Sequence, residues 1–119
     1  MENYIMGHYK DTESTIKHSI YCICGKSGAG KTTLANRIKG ELGIHNIVPV
    51  ILDGDAIRKY VNYDLTYSEE DRRKNNEIVA NIAEMLYHQG HYIIISTVRA
   101  DIAFDILTSK NIKCELIRL

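Results

Sequence analysis

At 119 residues, the chain is long enough for one domain with a modest core, and 45% hydrophobic with 25% charged residues is ordinary globular composition. Fifteen Lys and Arg balance fifteen Asp and Glu, so no global charge draws the chain to nucleic acid or to a membrane surface. No apolar run approaches the roughly 18 residues of a spanning helix, and the N-terminus lacks the basic and apolar regions of a signal peptide.

Residues 1–18 are polar without sustained periodicity and read as an irregular leader to a single domain over residues 19–119. The first strand is predicted over residues 19–24. Cys22 and Cys24 lie two apart on it and face one side, which fits buried thiols in a reducing, cytoplasmic setting better than a metal site. Gly25-Lys26-Ser27-Gly28-Ala29-Gly30-Lys31-Thr32 follows at once and completes the phosphate-loop pattern G-x-x-x-x-G-K-S/T between a strand and a helix. Glycines there let backbone N–H groups close around a phosphate, and the following helix turns its partial positive end to the same anion. Gly25, Ser27, Gly28, Ala29, Gly30, Lys31, Thr32 and Thr33 are therefore the expected nucleoside triphosphate contacts. Lys31 is expected on the outer phosphates and the Thr32 hydroxyl on Mg²⁺.

A helix is predicted over residues 30–42, stopped by Gly43. The aliphatic run Val48 to Leu52 predicts a strand buried on both faces, with Pro49 near its start. It leads into Asp53-Gly54-Asp55, with Gly54 allowing a tight turn, and a short helix over residues 56–61. Ser68-Glu69-Glu70-Asp71 reads as a capping box for the longest helix, which carries one apolar stripe (Ile78, Val79, Ile82, Ala83, Leu86) and ends at Gln89-Gly90. A third strand over residues 92–95 ends at Ser96-Thr97. A helix over 101–109 and a fourth strand over 113–119 complete the pattern.

This alternation predicts an α/β fold of the P-loop NTPase type, a three-layer α/β/α arrangement with a parallel sheet and helices on both faces. Ligands of such sheets sit beyond the carboxyl ends of the strands, where Gly25–Lys31, Asp53–Asp55 and Ser96–Arg99 all fall. A hydroxyl is a poor nucleophile, so wherever a phosphoryl group passes to an alcohol a carboxylate able to take the proton assists the transfer. Asp55 is the favoured base and Asp53 the metal-side partner, although spacing alone leaves the two roles interchangeable. Arg58, Arg72, Arg73 and Lys74 are candidate anchors for an acidic acceptor, because guanidinium groups suit oxyanions. Three of these cations occupy the first half of the long helix, where its dipole disfavours them unless an anion is bound.

The ordered segments Gly25–Thr33, Leu52-Asp53-Gly54-Asp55-Ala56-Ile57-Arg58 and Asn62 to Asn75 resemble the motifs of the adenylylsulfate (APS) kinases. In that family they read G-L-S-G-A/S-G-K-S/T-T, L-D-G-D-x-I/V-R and N-x-D-L-x-F/Y-S-x-x-D-R-x-x-N. The resemblance implies ATP-dependent phosphorylation of the ribose 3′-hydroxyl of adenylyl sulfate. It makes Lys31, Asp53 and Asp55 catalytic, and Asp53 and Thr32 the metal-side groups. It places Asp55, Arg58, Asn62, Tyr67, Arg72, Asn75 and Arg99 on the acceptor, with Tyr67 stacking on its base. The implied partners are ATP, Mg²⁺ and a small nucleotide acceptor, with no nucleic acid and no membrane, and a homodimer is left open.

Three departures qualify the likeness. Asn76-Glu77-Ile78 stands where the family has a basic pair, and Ser96-Thr97-Val98-Arg99 stands where it has I-S-P-Y-R. Family members also continue past the fourth strand into a basic lid, so the fold is expected to be incomplete at its C-terminal end, with weak or absent kinase activity. Two other readings stay open on these grounds. One is the same chemistry on another 5′-modified nucleotide, such as a cytidine diphosphoramidate; the other is a non-catalytic ATP-binding module. A GTPase is disfavoured by the absence of an N-K-x-D segment.

Overall fold

The computed structural model describes residues 18–119, so the leader expected over residues 1–18 lies, but for His18, outside the described residues. Within them the order is β1 (Ile20–Cys24), α1 (Lys31–Ile44), β2 (Val50–Asp53), α2 (Gly54–Tyr60), α3 (Glu69–His88), β3 (Ile93–Thr97), α4 (Ala100–Ser109) and β4 (Cys114–Arg118). The strands form one parallel sheet in the order β2-β3-β1-β4. This is the α/β architecture expected from the alternating pattern.

The sheet separates two apolar layers. On one face Tyr21, Ile23, Ile94 and Ile117 pack against Leu34, Ala35, Ile38 and Leu42 of α1. On the other, Ile20, Cys22, Cys24, Leu52, Ile93 and Ile95 meet Val79, Ala80 and Ala83 of α3 and Ala100, Ala103 and Leu107 of α4. Small alanines on α3 and α4 let both helices approach the branched strand residues closely. Each buried isoleucine contributes roughly 1.5–3 kcal/mol of transfer free energy. The expected α3 stripe is present in four of its five residues, with Val79 and Ala83 fully buried and Ile82 and Leu86 partly so, while Ile78 is half-buried outside both apolar layers.

Several boundaries depart from expectation, each for a physical reason. Gly43 does not stop α1, which runs to Ile44. The stop is Asn46, in the left-handed region at φ 64°. Its N–H donates to Gly43 O at 3.0 Å, and the Ile47 N–H donates to Leu42 O at 3.0 Å. The same pair of bonds ends α3 at Gly90 (φ 91°) and α4 at Asn111 (φ 63°). Three helices thus stop by one device, two of them with asparagine in glycine's place. Strand β2 begins at Val50, leaving Val48 81% exposed, and it is not buried on both faces. It occupies one edge of the sheet, where only Leu52 is fully buried.

The expected capping box is half made. Ser68 caps α3 by accepting the Asp71 N–H at 3.2 Å, but the Asp71 carboxylate turns instead to the Thr66 N–H (2.8 Å) and hydroxyl (2.7 Å). These two hydrogen bonds hold the Asp71 carboxyl below the usual range. They also pin the segment carrying Tyr67 across the start of α3.

Candidate active site

The carboxyl ends of β2, β3 and β1 are adjacent, with Asp53 in register with Ser96 and Cys24 with Thr97. Sheet order therefore gathers three segments distant in sequence around one cavity of about 300 Å³. Ser27 and Lys31 contribute from the loop after β1, Asp53, Gly54, Asp55 and Arg58 from the start of α2, and Tyr67, Arg72, Asn75 and Asn76 from the approach to α3 and its first half. Ser96, Thr97, Val98 and Arg99 close it from the end of β3.

The loop after β1 is built on backbone conformation. Gly28 (φ 84°) and Gly30 (φ 100°) adopt left-handed geometry that side-chain-bearing residues rarely take, and the Ala29 N–H returns to Lys26 O at 3.1 Å. Gly30 precedes α1 without a side-chain cap, which leaves the N–H groups of that helix start available to an anion. Lys31 folds over its own loop, donating from Nζ to Lys26 O at 3.0 Å. Of the expected phosphate contacts, Ser27 and Lys31 line the cavity, whereas Gly25, Gly28, Ala29, Gly30, Thr32 and Thr33 do not.

Asp53-Gly54-Asp55 is not the tight turn anticipated. Asp53 ends β2 and caps α2, its Oδ2 accepting the Ala56 N–H at 3.0 Å, and Gly54 and Asp55 form the first helical turn. Gly54 is needed for space. A Cβ there would meet Thr97 Cβ and Cγ2 at 3.1 Å. Asp55 is exposed, and its Oδ1 lies 3.6 Å from Nη1 of the largely buried Arg58.

The far wall carries cations around an aromatic ring. Tyr67 is 61% exposed, which rules out a core-packing role. The Arg58 guanidinium covers its ring at 4.3 Å, and that of Arg72 lies 5.8 Å from the ring centroid, while Arg72 Nε donates to Tyr67 O at 2.9 Å. Arg73 and Lys74 do not join them. Both are exposed outside the cavity, and Lys74 faces Glu70 at 3.9 Å. The dipole argument for three ligand-binding cations fails with them, because Glu69, Glu70 and Asp71 already occupy the first turn of α3.

Arg99 reaches the cavity with its guanidinium engaged. Nε and Nη2 donate to Asp101 Oδ1 and Oδ2 at 2.9 and 3.0 Å, and Nη1 pairs with Glu69. Asp101 holds Arg99 more firmly protonated than usual, and Arg99 in turn keeps the Asp101 carboxyl low. Asn62 does not line the cavity. It is buried behind Asn75, donating from Nδ2 to Asn75 Oδ1 at 2.9 Å.

Ser96 and Thr97 stand where the strand-end cluster was expected, whereas Asn76 and the packing role of Gly54 are not signalled by any motif. Asn76 is buried, its Oδ1 accepting the Thr97 hydroxyl at 2.7 Å and its Nδ2 donating to Arg72 O at 2.9 Å. Asn76 and Thr97 fall at two of the three departures from the family pattern, the signal that the sequence offers for this pair. Ser96 Oγ, Asn75 Nδ2 and Arg58 Nε are buried without a partner, and their three residues line the same cavity. Unpaired polar atoms that converge in this way suit a polar ligand.

The residues also fit a magnesium ion carried by a triphosphate. Asp53 keeps one carboxylate oxygen free of its cap, the Thr32 hydroxyl is exposed at the start of α1, and both are hard oxygen donors. Among the described residues no three metal-ligating side chains cluster, so phosphate and water would complete such a shell. No helix of the described residues is long and apolar enough to cross a membrane.

The model of the adenylylsulphate kinase family matches residues 17–103. The chain is 40% identical over 88 residues to a probable adenylyl-sulfate kinase of Bacillus subtilis, a match covering 71% of this chain and 45% of that protein. It is 38% identical over 76 residues to the adenylyl-sulfate kinase of Burkholderia ambifaria, covering 64% and 42%. The chain thus spans less than half the length of these curated relatives. Its fold superposes on the Mycobacterium tuberculosis APS kinase solved with AMPPNP and APS, with a TM-score of 0.76 at 24% identity over 86% of this chain and 62% of that one.

Proposed function

The chain belongs to the adenylylsulphate kinase family, and on that premise we propose that it transfers the terminal phosphoryl group of ATP to the ribose 3′-hydroxyl of adenylyl sulfate. One observation carries this reading. A single cavity is lined at once by Lys31 of the phosphate loop, by the carboxylates of Asp53 and Asp55, and by a wall of the two cations Arg58 and Arg72 with the amide of Asn75. A grip on the donor's phosphates, a proton acceptor and an anion-binding wall are the three parts that transfer between two nucleotides requires.

In this reading the N–H groups at the start of α1 hold the donor phosphates, and Lys31 leaves Lys26 O to reach the outer ones. Asp55, exposed toward the cavity, takes the proton of the attacking hydroxyl. Magnesium, held by Thr32 and Asp53 together with the phosphates, would neutralise charge on the transferring group. Arg58, Arg72 and Asn75 orient the acceptor's phosphate and sulfate, and the exposed ring of Tyr67 packs against its base. That the M. tuberculosis APS kinase of like fold was solved in complex with AMPPNP and APS supports a donor and an acceptor nucleotide for this chain.

The test is transfer from γ-labelled ATP with Mg²⁺ and adenylyl sulfate. Label appearing in 3′-phosphoadenylyl sulfate at a low rate, as expected of a chain without the family's lid segment, and only when the acceptor is present, is the expected result. Hydrolysis independent of acceptor, or clear preference for a non-adenylyl nucleotide, would overturn the assignment. Lys31→Ala should weaken MgATP binding about ten- to a hundredfold, the worth of one charge-assisted hydrogen bond, while the far-ultraviolet spectrum stays unchanged.

A further inference from the structure

Asn75 and Asn76 are adjacent, almost fully buried, and used in opposite ways. Asn76 has both ends of its amide occupied within the protein, by Thr97 and by Arg72 O. Asn75, 1% exposed, has only its oxygen occupied, by Asn62 Nδ2, and its own Nδ2 has no partner while the residue lines the cavity. An asparagine amide can present either its donor or its acceptor end, and what decides is the group behind it. Here that group is Asn62, whose Nδ2 donates to Asn75 Oδ1 and whose backbone is held on both sides. Its N–H donates to Ile57 O at 2.9 Å and its carbonyl accepts the Leu65 N–H at 3.0 Å.

We propose that Asn62 is a positioning residue for the acceptor nucleotide. By donating to Asn75 Oδ1 it fixes the amide so that the Nδ2 donor, and not the carbonyl, faces the ligand. The proposal deepens the reading above and rests on it, because the ligand it serves is the acceptor, whose phosphate and sulfate oxygens are acceptors only. It also reassigns Asn62, which the resemblance places on the substrate: the side chain acts through Asn75 and does not touch the ligand. A carboxylate at position 62 would reverse the arrangement. It can only accept, so Asn75 would turn its Nδ2 inward and meet the ligand's anionic oxygens with its carbonyl.

The experiment compares Asn62→Asp, Asn62→Ala, Asn75→Ala and the double variant Asn62→Asp/Asn75→Ala in the full chain. Calorimetry measures the Kd for adenylyl sulfate and, separately, for MgATP. Side-chain amide exchange is followed by nuclear magnetic resonance without ligand, the Asn75 signals being those lost in Asn75→Ala. Asn62→Asp is expected to weaken adenylyl sulfate binding about tenfold or more, and Asn62→Ala by less, with MgATP binding kept within about twofold. In the Asn75→Ala background Asn62→Asp should add no loss, and in the single variant the Asn75 amide protons should gain protection from exchange. Wild-type acceptor affinity in Asn62→Asp, an equal loss in the Asn75→Ala background, the reverse order of the two Asn62 variants, or unchanged Asn75 exchange would each overturn the proposal. Failure of the wild-type chain to bind adenylyl sulfate would instead count against the functional reading, and the amide exchange would still decide the role of Asn62.

Discussion

Gly54 shows how a single residue joins fold and chemistry. It separates the two carboxylates of the site, yet its backbone is ordinary helix, and the space it leaves is filled by Thr97 at the end of β3. Thr97 has little freedom to retreat, because its hydroxyl is held by Asn76 and its strand is buried. Gly54→Ala should therefore be destabilising even though alanine is the better helix former. Crowding of about 1–3 kcal/mol outweighs a propensity gain of at most about 1 kcal/mol, so a net loss near 1 kcal/mol is expected in urea titration. Unchanged or increased stability would show that Thr97 yields. At this scale the sequence is readable where chemistry is local: Lys31, Asp53, Asp55, Arg58 and Arg72 all line the cavity that the motifs implied. It is silent where a residue's role depends on a partner far along the chain. Nothing in the neighbourhood of Asn62, Asn75 or Asn76 says which amide faces a ligand and which is consumed inside.

Between elements, the hydrogen bond from Thr97 to Asn76 ties α3 to the end of β3, and so sets the cationic wall against Asp53 and Asp55. A buried bond of this kind stabilises modestly, but half of it left alone costs more, about 1–3 kcal/mol. Asn76→Leu and Thr97→Val should each be destabilising in that range, and the double substitution should be less so than their sum. Additive losses in a double-mutant cycle would mean that the two side chains act separately. The helix ends give a second test. Asn46 holds a left-handed conformation that glycine adopts without a Cβ penalty, so Asn46→Gly should raise stability by a few tenths to about 1 kcal/mol in the same titration. These ends also explain why boundaries were harder to read than elements. Gly43 looked like the stop of α1, but a stop depends on where the helix axis leaves the sheet, and here the chain turns three residues later. Likewise, the residues of β2 are apolar enough for a central strand. Its place at the edge is decided by the order of the crossovers, which no strand encodes by itself.

Across the whole molecule, the ionisable groups with resolved shifts pull stability in opposite directions with pH. Glu115 on β4 is raised above the usual glutamate range, chiefly by burial and only partly relieved by His18, and Tyr21 beside it in register is pushed up to about 12. A carboxyl raised by folding favours the folded state when protonated, so its contribution is fully present below the unfolded value of about 4.3 and is lost as pH rises through the folded value. Asp71 and Asp101 are lowered, the first by the Thr66 hydrogen bonds and the second by Arg99. Their contribution is present above an unfolded value of about 3.9 and is lost as pH falls through their lowered values. On acidification from neutral pH the chain should therefore first gain stability as Glu115 takes a proton, and then lose it below about pH 4 as Asp71 and Asp101 do. A Tm profile is expected to pass through a shallow maximum on the mildly acidic side. Glu115→Gln removes only the first of these effects. The variant should melt above the wild type at pH 7, the difference should close toward pH 4, and the acid limb should be unchanged. A constant offset at all pH values would mean that packing around β4, and not the charge of Glu115, had been altered.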